Sequence, residues 1–145
     1  MLEIRQVQPD DIFSVISIAY DLLPERYNPA IFNQFYEAFP EGFLVAELNH
    51  SVLGFLVGTR IDRHRARILM LAVKKQHQRH QIGSKLLIRF LNEMRAYGIT
   101  IVELEVRTTN RIAIEFYRKH GFAIQETLAH FYQNSDAAYQ MHRDL

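Results

Sequence analysis

Two stretches constrain what this chain can fold into more than any other part of it. The first runs Val73-Lys-Lys-Gln-His-Gln78-Arg79-His80-Gln81-Ile82-Gly83-Ser84-Lys-Leu-Leu87. It reads as a strand feeding a small-residue loop that opens a helix. Such a helix start presents unpaired backbone N–H groups and the positive end of the helix dipole, which suits a pyrophosphate. The second runs Glu105-Val-Arg-Thr-Thr-Asn110-Arg-Ile-Ala-Ile-Glu-Phe-Tyr117-Arg-Lys-His-Gly121-Phe122. It sets a carboxylate on a strand and a phenol on the helix that follows. Together they point to a ligand carrying phosphates with a proton-transfer pair beside it.

With 145 residues, the chain is expected to form one domain over residues 1–145. Its 48% hydrophobic and 23% charged content is that of a chain able to build its own core. A net charge of +1 supplies no global field for nucleic acid or an anionic membrane. With no cysteine in the chain, disulfides, zinc-thiolate sites and cysteine nucleophiles are excluded. Met1-Leu-Glu-Ile-Arg-Gln has neither the basic start nor the apolar run of a signal peptide. The apolar run at Val52–Val57 is too short to span a bilayer. A cytoplasmic protein without membrane contact is expected.

Punctuation along the chain predicts alternating elements. Leu2–Val7 alternates as a strand, and Pro9 opens a helix whose apolar face is Ile12, Val15, Ile16, Ala19 and Leu22. Leu23–Tyr27 is a loop after that helix. Asn28-Pro29 starts a second helix, with Ile31, Phe35, Ala38 and Phe39 expected to be buried. Phe43–Leu48 and Val52–Ile61 read as a hairpin about Asn49-His50. Arg67–Val73 is apolar enough to be a central strand. A helix from Ile82 ends near Gly98, Thr100–Val106 is a strand, and Asn110 caps a helix that Gly121 ends. Phe122–Thr127 and Ala137–Arg143 close the chain as strands. The expected fold is α/β (α+β layered), a mixed sheet of about seven strands flanked by about four helices.

The residues Gln78–Ser84 and Asn110–Phe122 resemble the GCN5-related N-acetyltransferase (GNAT) superfamily. Its phosphate loop follows Gln/Arg-x-x-Gly-x-Gly/Ala, and here the loop reads Gln78-Arg-His-Gln81-Ile-Gly83, with Gln81 in place of the first glycine. A side chain there has to point away from the pyrophosphate, on backbone angles that suit a non-glycine residue. Within the superfamily, three segments are similar to the RimI and archaeal NatA kinds of protein N-terminal acetyltransferase. These are Leu23-Pro24-Glu25-Arg26-Tyr27, Leu104-Glu105-Val106-Arg107, and His130-Phe131-Tyr132 with the closing Ala138–Leu145.

The resemblance implies acetyl-CoA as cosubstrate and protein or peptide N-termini as acceptors, with no metal. Glu105 would act as base, Glu25 as a second candidate, and Tyr117 as the acid for the leaving thiolate. The backbone of Leu71, Ala72 and Val73 would lie along the acetyl and pantetheine arm. Arg79, His80, Gln81, Ile82, Gly83 and Ser84 would hold the pyrophosphate, and Asn110 would bond the arm. Leu23, Pro24, Glu25, Tyr27 and Tyr132 would meet the substrate. Taken without the resemblance, Glu105 reads as a solvated strand carboxylate, Tyr117 as core beside Phe116, and Asn110 as a plain cap. His77 and His80 read as loop residues rather than metal ligands. The basic cluster Arg60, Arg63, His64, Arg65 and Arg67 reads as a solvated turn, with a nucleic-acid or ribosome contact as its alternative; for the protein as a whole a ribosome or partner-subunit contact is left open and no specific nucleic acid is expected. A small-amine or lysine acceptor, or a weakly catalytic acetyl-CoA-binding module, are the alternatives.

Overall fold

The computed structural model describes the backbone of residues 1–145 and all side chains except those of Arg79 and His80. Its strands are β1 (Glu3–Gln6), β2 (Phe43–Leu48), β3 (Ser51–Arg60), β4 (Arg65–Val73), β5 (Ile101–Arg107), β6 (Ala123–Leu128) and β7 (Ala138–Asp144). Its α-helices are α1 (Ile12–Leu22), α2 (Ala30–Ala38), α3 (Ile82–Ala96) and α4 (Arg111–Lys119). One seven-stranded sheet runs in the order β1-β2-β3-β4-β5-β7-β6. Only β4 and β5 pair in parallel. The mixed sheet and its helices are the layered α/β architecture expected from the chain.

Local chemistry explains the ends of these elements. Asn49 and His50 both take positive φ, 50° and 67°, as a two-residue hairpin turn with the strands' right-handed twist requires. Asn110 Oδ1 accepts from Ala113 N at 3.1 Å and caps α4. Gly121, at φ +86°, ends α4 in the left-handed conformation.

A core fills each face of the sheet. On one side α3 buries Ile82, Leu86, Leu87, Phe90, Leu91 and Met94 against Leu44, Leu56, Val102 and Leu104. Full burial of each such side chain contributes roughly 1.5–3 kcal/mol. The helix can approach this closely because of Gly58, where a Cβ would stand 2.2 Å from the Phe90 ring. On the other side α1 and α2 pack Val15, Ile18 and Phe32 over Phe43, Phe55 and Met70. On α2 the wholly buried residue is Phe32, while Ile31 and Phe35 are half-buried and Ala38 is exposed. The helix is rotated relative to the spacing-based expectation because Phe32 is drawn into edge-on ring contacts with Tyr27 of the preceding loop and Phe55 of β3.

The feature that positions the site is a fork. β4 and β5 pair only at Arg65–Arg67 against Ile101–Glu103. Past these pairs Ile68–Val73 and Leu104–Arg107 run apart. The β3–β4 register jumps from Val57↔Met70 to Gly58↔Ile68, leaving Leu69 as an extra residue on β4. A bulge bends and twists its strand, and this one sits where the fork opens. β4 is therefore central in sheet order but on its β5 side is paired only at Arg65–Arg67, and Leu69 is 36% exposed rather than buried.

Candidate active site

A cleft of about 400 Å³ occupies the open end of the fork. β4 lines it with Ile68, Leu69, Met70 and Leu71, and β5 with Leu104, Glu105, Val106 and Arg107. Asn110 and Tyr117 enter from α4 and its cap, Glu25 and Tyr27 from the loop after α1, and Tyr132 from the β6–β7 loop. The cleft thus brings together every residue expected as base, acid or substrate contact, Leu23 and Pro24 included.

Alternation on β5 decides which side chains face which layer. Val102, Leu104 and Val106 join the α3 core, while Glu103, Glu105 and Arg107 share the opposite face. Glu105 Oε2 accepts from Gln140 Nε2 at 3.2 Å, and Glu105 Oε1 stands 3.7 Å from Arg67 Nε. Neither Glu103 nor Glu105 is a solvated surface carboxylate: Glu103 is buried and Glu105 largely so. They sit in a band of charges that β4 and β7 cover from either side.

Arg107 is the residue that sequence reasoning passed over. Its Nη1 pairs with Glu25 Oε1 at 2.5 Å. Its Nε pairs with Asp136 Oδ2 at 3.1 Å, and its guanidinium lies 3.9 Å from the Tyr132 ring centroid. One side chain therefore ties the loop after α1 to the β6–β7 loop. The period-two pattern of β5, which puts Arg107 on the face of Glu105, was the available signal.

Electrostatics keep the phenols protonated. Burial, then the charge of Tyr132, holds the Tyr117 hydroxyl well above the ordinary tyrosine range. Burial first, then Glu25, pushes Tyr132 up to about 12 against the opposing charge of Arg107. Tyr27 rises for the same leading reasons, burial and then Glu25.

The β4 end and the start of α3 show how a phosphate-bearing arm can be held. Lys74 N donates to Leu53 O, so Lys74 faces β3. By strand alternation Ala72 also turns its peptide groups to β3, and Leu71 and Val73 turn theirs to the fork. Ala72 is thus committed to the ladder, and Leu71 and Val73 carry the available amides. Gln78 Nε2 donates to Val73 O at 3.0 Å, leaving the Val73 N–H. At α3 the preceding residue Gln81 caps nothing with its side chain and sits at φ 61°, ψ 20°. That is the left-handed region in which glycine is at home and other residues are strained, so the backbone of this position kept the glycine-like form. The side chain of Gln81 is exposed. The helix leaves the N–H groups of Ile82, Gly83 and Ser84 without intrahelical partners. A Cβ on Gly83 would meet Phe116 of α4 at 3.5 Å, ordinary contact, so α3 and α4 touch there. The side chains of Arg79 and His80 lie outside the described residues. Among the described residues no group of three His, Cys, Asp or Glu could hold a metal ion. Among the described residues no helix is long and apolar enough to cross a membrane.

A sheet forked at its centre, with an uncapped helix start beyond one prong and a capped helix carrying a phenol beyond the other, suits an acyl carrier with an amide-bearing arm and a pyrophosphate. The profile of the Acetyltransferase (GNAT) family matches residues 11–122, and the chain belongs to that family. It is an acetyl-CoA-dependent N-acetyltransferase. Ard1 from Thermoplasma volcanium superposes with a TM-score of 0.96 at 41% identity, covering 99% of this chain and 97% of that one. The N-alpha-acetyltransferase of Sulfolobus acidocaldarius is 31% identical over 96% of this chain and 90% of its own length. That of Sulfurisphaera tokodaii is 30% identical over 95% and 90%.

Proposed function

We propose that this chain, acting as one domain over residues 1–145, acetylates the α-amino group of protein N-termini by direct attack on the thioester. The observation that carries this is the convergence of Glu25, Glu105, Tyr27 and Tyr132 on one cleft at the mouth of the fork. The names of the archaeal relatives support the same acceptor. Arg107 also bears on it. A fixed guanidinium beside Glu25 at the entrance offsets the carboxylates that would attract a polyamine or a protonated lysine.

Acetyl-CoA supplies an activated acetyl group as a thioester. Leu71 and Val73 offer fork-facing N–H groups to its arm and to the carbonyl oxygen as charge develops there. Ile82, Gly83 and Ser84 offer theirs to the pyrophosphate, and Asn110, whose Oδ1 is spent on the cap, has its amide N–H left for the arm. Glu105 takes the amine proton, through water. Glu25 is the second candidate, but its carboxylate is already paired with Arg107. Tyr117 holds a proton at its hydroxyl for the departing thiolate. Tyr27 and Tyr132 wall the entrance, with Leu23 and Pro24 on the loop beside them.

A peptide panel tests the reading. Peptides with a free small first residue should be acetylated faster than the same peptides blocked at the N-terminus with a lysine inside, and faster than spermidine. The α-amino group has a pKa near ~8 against ~10.4 for lysine, so more of it is neutral at physiological pH. Spermidine or internal lysine outrunning every free N-terminus sinks the proposal.

A further inference from the structure

Glu105 is the end of a directed chain of polar groups. Gln140 Nε2 donates to Glu105 Oε2 at 3.2 Å, and Gln140 Oε1 faces His142 Nε2 at 3.2 Å. His142 Nε2 also stands 3.2 Å from Glu103 Oε2. Glu103, 5% exposed, accepts from Arg65 Nη1 at 3.4 Å and Arg67 Nη2 at 3.1 Å. The register produces this order, since Glu103 pairs with His142 and Glu105 with Gln140 across β5 and β7.

The polarity of the chain follows from what each group can do. A carboxylate and an amide carbonyl are acceptors only, so His142 Nε2, facing both, carries a hydrogen whether the ring is neutral or charged. That hydrogen holds the Gln140 carbonyl at the His142 end and leaves the amide N–H₂ for Glu105. Turned over, the amide would set its oxygen against the Glu105 carboxylate and its hydrogens against the His142 N–H. Glu103 accepts from the two arginines as well, which anchors the far end.

We propose that Gln140 is a positioning residue for acetyl transfer: its amide pins Glu105 Oε2 and leaves Oε1 to take the proton, while His142 and Glu103 set the direction of that amide. This rests on the reading of Glu105 as base. The other groups facing Glu105 are Arg67 of β4, Tyr132 of the β6–β7 loop, and Glu25 across the cleft. Arg67 Nε makes no hydrogen bond, so its contact with Oε1 is through charge alone.

Nuclear magnetic resonance on the whole protein tests the network independently of any substrate. Glu105→Leu and His142→Leu should each displace the Gln140 side-chain amide resonances. An amide unmoved by both overturns the proposal. In turnover with an N-terminal peptide, Gln140→Leu should lower kcat about tenfold, the loss expected for one hydrogen bond to a charged group, with the KM for acetyl-CoA held. Gln140→Glu keeps the shape but sets an acceptor where the donating amide was, and should lower kcat at least as far. His142→Leu should act in the same direction and add nothing once Gln140 is leucine. Wild-type kcat in both Gln140 variants overturns the proposal, as does a His142→Leu loss equal in the two backgrounds. A wild-type enzyme inactive on every free N-terminus would instead count against the acceptor reading, with the amide resonances still deciding the network.

Discussion

The guanidinium of Arg107 lies over the ring of Tyr132, 3.9 Å from its centroid, while the same side chain holds Glu25 and Asp136. Two loops distant in sequence are thereby joined at the mouth of the cleft. Burial lowers the Arg107 proton affinity, but Glu25 and Asp136 more than restore it, so the cation is permanent.

Arg107→Ala should free both loops. A cation–π contact and two ion pairs are lost together, so the KM for peptide should rise roughly tenfold. The KM for acetyl-CoA should hold, because the phosphate-facing residues are on α3. Steady-state kinetics varying each substrate in turn checks this, and an equal rise in both KM values would contradict it.

Glu105→Gln keeps shape and removes basicity. Its turnover should fall roughly a hundredfold or more, while acetyl-CoA affinity holds. The loss should shrink as pH rises, since the amine then deprotonates unaided. Tyr117→Phe should also slow turnover, with no relief at high pH. If Glu105→Gln stays near full activity across the pH range while Glu25→Gln does not, the base is on the loop after α1.

At the start of α3 two neighbours make opposite predictions. Gly83→Asp has space for its Cβ against Phe116, so the protein should fold, yet a carboxylate facing a pyrophosphate should abolish the rise in Tm that acetyl-CoA causes. Gly83→Ala should keep that rise. Gln81→Gly should leave stability equal or higher, and Gln81→Val should lose about 1–2 kcal/mol, because a left-handed residue tolerates glycine and punishes a β-branched side chain. Chemical denaturation and thermal-shift measurements with and without acetyl-CoA separate these outcomes.

Asp11 gives a pH dependence. Burial pushes its carboxyl up, but the Arg5 guanidinium at 2.7 Å and the Gln8 N–H pull it further, to a net position below the ordinary value. The folded protein therefore binds this proton less well than the unfolded chain does. The pair's stabilisation is complete above the unfolded pKa of ~3.9 and is lost as pH falls through the lower folded value. Asp11→Asn should cost about 1–3 kcal/mol at neutral pH. It should also flatten the acid end of the stability–pH curve measured by denaturant titration.

What the sequence determined by itself is whatever depends on a few adjacent residues. The turn at Asn49-His50, the Asn110 cap and the ends at Gly98 and Gly121 are legible because backbone angles there answer to one or two side chains. The helix stripes and the two long motifs are legible for the same reason, and they carry the family resemblance and the order of Gly83, Glu105 and Tyr117 along the chain. Tertiary structure alone decided which strand lies beside which, and where that pairing stops. The fork depends on Leu69 bulging out of a ladder with β3, and the Glu103–His142 and Glu105–Gln140 pairs on β7 inserting between β5 and β6. Phe32 is buried because the ring of Phe55 on β3 meets it, and Arg107 matters because two remote loops reach it. Such contacts join residues tens of positions apart, so their energies belong to the assembled sheet and leave no periodicity along the chain.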